Sequence, residues 1–293
     1  MRDDLAFAVW SRERQQRIED VLDRALAGAP GTALVEAMRY ATLGGGKRIR
    51  PLLAYAAGEF ALADPALVDA PAASVEMIHA YSLVHDDLPC MDDDTLRRGK
   101  PTCHVQHGEA MALLAGDALQ ATAFAVLGRA RLADTGRACA LLAEAAGVAG
   151  MAGGQAVDLA ATGCSLTLAE LESMHRRKTG ALIAAAVELG AMCGGPLAGA
   201  ERQSLRDYAS AAGLAFQVVD DVLDAEGTSD TLGKTPGKDA ASMKPTYVSL
   251  LGIAEARRHA EVLRTEAHAA LARYGTRGRR LVELADWIVL RQH

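Results

Sequence analysis

The sequence predicts an all-α protein, and two observations carry that prediction. Aromatic residues make up only 4% of the 293 residues while Ala and Leu dominate, a composition suited to packed helices. Stretches such as "LVEAMRYATL", "TLAELESMHRRKTGALIAAAVEL" and "AEARRHAEVLRTEAHAALARY" place apolar residues at three- and four-residue spacing over several turns. No stretch sustains the alternation of β-branched residues that a half-buried strand requires.

Taken in order, long helices are expected at about residues 67–88, 106–132, 135–160, 167–193, 198–226 and 244–273, with breaks at "LADTG", "ATGCSLT" and "CGGPLAG", where turn-forming residues cluster. Small residues in "AEAAGVAGMAGGQAVDLAA" permit helices to approach closely. No Pro/Ser-rich linker divides the chain, so residues 1–293 read as one domain. A formal net charge of -6 argues against a nucleic-acid or anionic-membrane partner held by bulk charge. An anionic ligand must then be held by local groups. The five cysteines carry no CxxC pair and read as reduced thiols in the cytoplasm. The N-terminus shows no signal-peptide pattern. The most apolar run identified, the 13 residues between Glu144 and Asp158, is short of the roughly 20 that span a bilayer. No membrane span is expected.

The chemistry concentrates in "DDLPCMDDDTLRRGKPTCH", residues 86–104, where five aspartates stand beside two adjacent arginines. A second run, "FQVVDDVLDAEG", repeats the pattern of an apolar helix running into an Asp-Asp pair and a third aspartate. Asp220 and Asp224 are four apart, about 40° round a helix, and project side by side. Asp86 and Asp92 are six apart, about 240° round a continuous helix, and would diverge. Pro89 resolves this, because it disfavours helical geometry at Leu88 and lets the chain turn Asp92 back beside Asp86. Clustered carboxylates raise one another's pKa unless a cation neutralises them. Mg²⁺, which takes oxygen ligands and shares itself between a few carboxylates and substrate phosphates, suits such a wall. Basic groups accompany it: Lys47 and Arg50 in "GGGKRIRP", Arg97 and Arg98 after the first acid cluster, Lys178 and Thr179 in "RRKTG", and Lys234, Lys238 and Lys244 after the second. Taken singly, each is most simply a surface charge, and His79, Tyr81 or Phe216 a core residue. The "GGG" run lacks P-loop spacing. The ordered combination carries the signal.

That combination, "GGGKRIRP", "HAYSLVHDDLPCMDDDTLRRGKPTCH", "GMAGGQAVDL", "RRKTG", "AFQVVDDVLD", "LGKTPGKDAASMKPTY" and "SLLG", resembles the trans-isoprenyl diphosphate synthases, most closely the bacterial farnesyl diphosphate synthases, over about residues 40–252. The resemblance implies an all-α isoprenoid (terpenoid) synthase fold with helices around a deep central cavity, and a homodimer. It implies three Mg²⁺ ions between the two aspartate-rich motifs, held through Asp86, Asp92 and Asp220, with Asp87, Asp221 and Asp224 supporting them. By the same resemblance Arg97, Lys178, Thr179, Gln217, Lys234 and Lys244 contact the allylic diphosphate, and Lys47, Arg50, His79 and Arg98 contact isopentenyl diphosphate. Lys238 stands where close relatives carry a small residue. Asp86, Asp92, Lys178 and Asp220 are the expected catalytic set. The implied substrates are isopentenyl, dimethylallyl and geranyl diphosphates.

Product length follows from depth along the helix below Asp86. Ser82 is four residues before it and Tyr81 five, one turn or roughly 5–7 Å deeper, which is comparable to one isoprene unit. A bulky Tyr81 beside Ser82 reads as a partial floor, and an aromatic there with the longer Pro-containing first motif resembles the bacterial C15 synthases, so the expected product is farnesyl diphosphate. Geranyl and geranylgeranyl diphosphates remain alternative products. A terpene cyclase of the same fold would depart from "DDVLD" at the second motif, and a non-catalytic prenyltransferase subunit would have lost acid clusters. An Asp-rich Ca²⁺ store lacks EF-hand spacing.

Overall fold

The computed structural model describes residues 2–27, 32–43, 45–226 and 244–291. The elements run α1 (Arg2–Ala25), α2 (Ala33–Thr42), α3 (Ile49–Phe60), α4 (Pro65–Asp86), a hairpin of β1 (Leu96–Arg97) and β2 (Lys100–Pro101), α5 (Cys103–His107), α6 (Glu109–Gly128), α7 (Thr135–Ala146), α8 (Met151–Ala160), α9 (Leu168–His175), a π turn (Arg176–Gly180), α10 (Ala181–Ala191), α11 (Gly199–Glu226), α12 (Tyr247–Leu251), α13 (Ile253–Leu271), a short 3₁₀ segment and α14 (Arg279–Leu290). The architecture is the all-α one expected.

The centre is built on α3, α4 and α10. Leu52, Leu53, Tyr55 and Phe60 of α3 are buried, as are Val75, Met77 and Ile78 of α4 and Leu182, Ile183 and Leu189 of α10. Gly190 allows the tight seam between α10 and α3, since a Cβ there would lie 2.0 Å from the Ala54 carbonyl oxygen. A start signal fixes α4: Asp64 caps the Ala66 N–H and Pro65 occupies the first turn, where its missing N–H costs nothing. Helix α11 packs along α13, and α4 packs on α6. The two ends of the described chain meet. Phe7 of α1 lies 6.3 Å from Trp287 of α14, and the Arg280 guanidinium stands 5.3 Å over the Trp10 ring.

Several expected helices divide, each for a local reason. The 106–132 segment is α5 and α6, separated at Gly108 with φ 88°. The 135–160 segment breaks at residues 147–150 between two glycines. The 167–193 segment widens into the π turn, and the 244–273 segment begins at Tyr247, breaks at Gly252 with φ 78° and ends at Leu271. The β1–β2 hairpin was absent from the sequence reading. Arg98 (φ 53°) and Gly99 (φ 74°) take consecutive left-handed conformations, the backbone of a two-residue hairpin turn. The apolar run before Asp158 is also not the longest. Helix α6 has 20 residues and mean hydropathy 1.6, enough by length and composition to cross a bilayer, as is the stretch Thr135–Ala160. In the fold α6 lays one side on α4, and the second stretch is two helices.

Candidate active site

A cavity of about 730 Å³ opens between α3, α4, α8, the π turn and α11. It gathers Lys47, Arg50, His79, Tyr81, Ser82, Asp86, Arg97, Arg98, Lys178, Thr179, Gln217, Asp220, Asp221 and Asp224 from five stretches of sequence. Asp87, Asp92 and Lys244 stand behind or beside this lining. Lys234 lies outside the described residues, as does Lys238.

The first aspartate wall is made by ending a helix. Helix α4 stops at Asp86, and the chain folds back so that the Asp92 N–H donates to the Asp86 carbonyl at 2.8 Å, the Met91 N–H to Leu88 at 2.8 Å and the Asp94 N–H to Asp87 at 3.2 Å. Pro89, which lacks an N–H, sits inside this closed turn. Asp86 faces the cavity. Burial pushes its carboxyl up to about 6, with Lys178 drawing it down and Asp92 pushing it further up. Asp87 turns away. Arg97 Nε donates to both of its oxygens, at 2.8 and 2.9 Å, and the side chain is 4% exposed. Asp92 accepts from Lys244 Nζ at 2.8 Å.

The second wall is an uninterrupted helix face. Asp220 is 43% exposed and accepts from Arg291 Nη2 at 2.7 Å. Asp221, the other half of the pair, is buried, taking Gln217 Nε2 at 2.8 Å and the Tyr247 N–H at 2.8 Å. Gln217 in turn accepts from Thr179 Oγ1 at 3.0 Å. Among the described residues no three His, Cys, Asp or Glu side chains converge into a ready-made metal cage. The carboxylates instead stand on two walls with a cavity between. All-oxygen donors, and an Asp86 carboxyl whose proton affinity is raised by burial, fit a cation such as Mg²⁺ that completes its shell with water and phosphate oxygens.

The cations form two groups. Lys178 Nζ donates to Asp158 Oδ2 at 2.5 Å, and Lys244 Nζ lies 3.8 Å from the same oxygen. The π turn supplies the geometry by adding a residue to one turn, and Gly154 of α8 lets it sit close: a Cβ there would be 2.2 Å from the Lys178 backbone nitrogen. On the other side, Lys47, Arg50, Arg98 and His79 crowd together. Burial depresses the pKa of each, Lys47 aided by Arg291, Arg50 by Arg98, and His79 by Arg50, Arg98, Arg97 and Arg48. His79 is therefore a neutral ring at pH 7, held so by burial and by the arginines around it. Arg48, between Lys47 and Arg50 in sequence, is committed elsewhere: it pairs with Glu76 at 2.6 Å and Glu19 at 2.7 Å.

Tyr81 lies one turn below Asp86 on the cavity wall, 8% exposed, with its ring edge-on to His85 at 5.7 Å. The Ser82 hydroxyl turns back to the His79 carbonyl at 2.8 Å. Sequence reasoning missed three residues. Asp158 tethers both lysines, and Gln155 lines the cavity with an amide that has no hydrogen-bond partner among the described residues. Both lie in the quoted "GMAGGQAVDL" run, where Asp158 is four residues after Gly154 and so on its face of α8. Arg291 carries no signal in sequence, since a basic residue in "RQH" reads as solvated charge.

Residues 32–273 match the family described as Polyprenyl synthetase. The farnesyl diphosphate synthase of Escherichia coli (strain K12) is 49% identical over 286 residues, covering 94% of this chain and 96% of that protein. Among solved structures, a geranyltransferase from Legionella pneumophila is 34% identical, with a TM-score of 0.87 over 98% of both chains. A geranyltransferase from Helicobacter pylori, complexed with magnesium and isoprenyl diphosphate, is 32% identical, with a TM-score of 0.84 over 96% of both chains.

Proposed function

The chain belongs to the polyprenyl synthetase family, and we propose that its cavity joins an allylic diphosphate to isopentenyl diphosphate between the two aspartate walls. It is a prenyltransferase that makes farnesyl diphosphate. The observation that carries the site assignment is the meeting of both aspartate walls and two separate cation groups in one cavity.

Asp86, Asp92 and Asp220 would hold Mg²⁺, three ions in all, with Asp87, Asp221 and Asp224 behind them; the Helicobacter pylori relative with magnesium and isoprenyl diphosphate supports this assignment. When bound there, Mg²⁺ would supply positive charge to the leaving diphosphate and so favour ionisation of the allylic carbon. Lys178 and Lys244, oriented by Asp158, supply positive charge to the same diphosphate, joined by Arg97 and Lys234, while Thr179 and Gln217 offer neutral hydrogen-bond donors. Lys47, Arg50, Arg98 and neutral His79 anchor isopentenyl diphosphate, so that its double bond is presented to the allylic cation at close range. The apolar lower cavity keeps water from that cation. In this reading the released diphosphate, rather than a protein side chain, takes the final proton.

Tyr81 is the floor, with Ser82 beside it. Tyr81→Ala is expected to lengthen the product beyond C15, and an unchanged product would refute the floor. We further read residues 1–293 as one polyprenyl synthetase domain acting as a homodimer. Exposed Leu113 and Leu114 on α6, near exposed Val105, support burial of that face against a second copy. Five free cysteines accord with a cytoplasmic, reduced protein. The test is incubation of purified protein with dimethylallyl and isopentenyl diphosphates, with and without Mg²⁺, and mass spectrometry of the prenyl products. A Mg²⁺-dependent C15 product is expected. Absence of elongation overturns the reading, and a C10 or C20 product overturns the floor alone.

A further inference from the structure

Arg291 lines the cavity beside the second aspartate wall. It follows the last turn of α14, where ψ swings to 148° and the helix ends. Its side chain is 4% exposed. The guanidinium donates through Nη2 to Asp220 Oδ1 at 2.7 Å and to the Phe216 carbonyl at 3.0 Å, and it lies 4.2 Å over the Phe216 ring. Its buried Nε has no hydrogen-bond partner among the described residues. Helix α11 thus supplies an aromatic seat, a carbonyl and a carboxylate to a single arginine.

This arrangement gives Asp220 a guanidinium donor directly on one of its carboxylate oxygens. An oxygen that already accepts a charged N–H is a poorer ligand for a small divalent cation, and a guanidinium held beside it repels that cation. The seat is also specific. Phe216 and Asp220 are four residues apart, so ring and carboxylate share one face of the helix. We propose that Arg291 is a resident counter-ion that reserves Asp220 and sets the metal affinity of the second aspartate wall, so that a divalent cation binds there in competition with the C-terminal arginine. Arg291 acts through Asp220 and is a positioning residue in this sense. The proposal rests on the reading of Asp220 as a metal ligand.

The test measures metal binding rather than turnover. Full-length protein with inorganic diphosphate is titrated with Mn²⁺, and free Mn²⁺ is counted by its electron paramagnetic resonance signal. Asp220→Asn should lose an ion and so identify the site. Arg291→Gln keeps a hydrogen-bonding group without charge, and should bind that ion about three- to tenfold more tightly, the scale of one partly buried charge pair. Arg291→Lys, which keeps the charge, should stay near wild type. Equal or weaker binding by Arg291→Gln overturns the proposal. Wild-type protein that takes up no Mn²⁺ with diphosphate overturns both the proposal and the metal reading beneath it. Mg²⁺-dependent C15 synthesis with unaltered Mn²⁺ affinity in Arg291→Gln leaves the function standing and removes the proposal alone.

Discussion

The two aspartate walls share a sequence pattern but are built by different physics. The two pairs divide their work differently: Asp86 lines the cavity while Asp87 is turned behind the wall, whereas Asp220 and Asp221 both reach the lining, Asp221 buried and braced. The braces differ. Asp87 is locked by an ion pair to Arg97 from the β1–β2 hairpin, whereas Asp221 is held by an amide and a backbone N–H from Tyr247. Tyr247 in turn stacks at 22° on His175, 5.5 Å away. One wall rests on charge, the other on hydrogen bonds and a neutral ring. Identical dipeptides therefore do not imply identical vulnerability.

The largest expected effect tests the charged brace. Asp87→Ala leaves Arg97 facing a hole, with Asp94 at 3.5 Å, and breaking a buried pair this way costs about 3–5 kcal/mol. Urea unfolding measures it, and a loss no greater than that of Asp221→Asn would erase the distinction between the walls. Next comes the cavity-facing member. Asp86→Asn should lower kcat by about 10²–10³-fold, on the scale of removing one preorganised transition-state contact. In the wild type a cation at Asp86 must displace a proton once the pH is below about 6, so metal-diphosphate affinity should fall with acid there. Titration calorimetry at pH 5 and pH 7.5 would show this, and a flat profile would contradict it.

The neutral brace has its own signature. Burial lowers the pKa of His175 to about 4, below the value of about 6.5 for an unfolded histidine. Between these values the unfolded chain holds the extra proton, so the stability contribution is present above pH 6.5 and is lost as pH falls toward 4. The loss should approach about 3 kcal/mol. His175→Phe, which keeps a ring beside Tyr247, should flatten that part of the profile in denaturation measured across pH. The smallest effect concerns spacing. Gly154→Ala places a methyl 2.2 Å from the Lys178 nitrogen, and such overpacking costs about 1–3 kcal/mol. It should lower kcat through Lys178 while leaving both braces intact.

These residues show where sequence was informative. Helical period and the spacing of Asp220 and Asp224 are local properties, and so is the turn that Pro89 imposes, which is why fold class and both acid motifs could be read directly. How each Asp-Asp pair divides its work could not, because it depends on Arg97 and on Tyr247 arriving from other elements. The divided helices trace to Gly108, Gly147, Gly150 and Gly252, whose effect on a continuing apolar pattern is decided by tertiary packing. The π turn leaves no pattern at all, and Arg291 meets Asp220 only because the chain returns across 71 residues.

That return also orders events in time. Contacts between α1 and α14 join residues near opposite ends of the chain, and such pairs contribute only after the entropy of closing a very long loop has been met. The α3–α4 and α10–α11 seams need no such wait. The turn that forms the first aspartate wall rests on such local contacts, whereas the Arg291–Asp220 pair waits on a return across 71 residues.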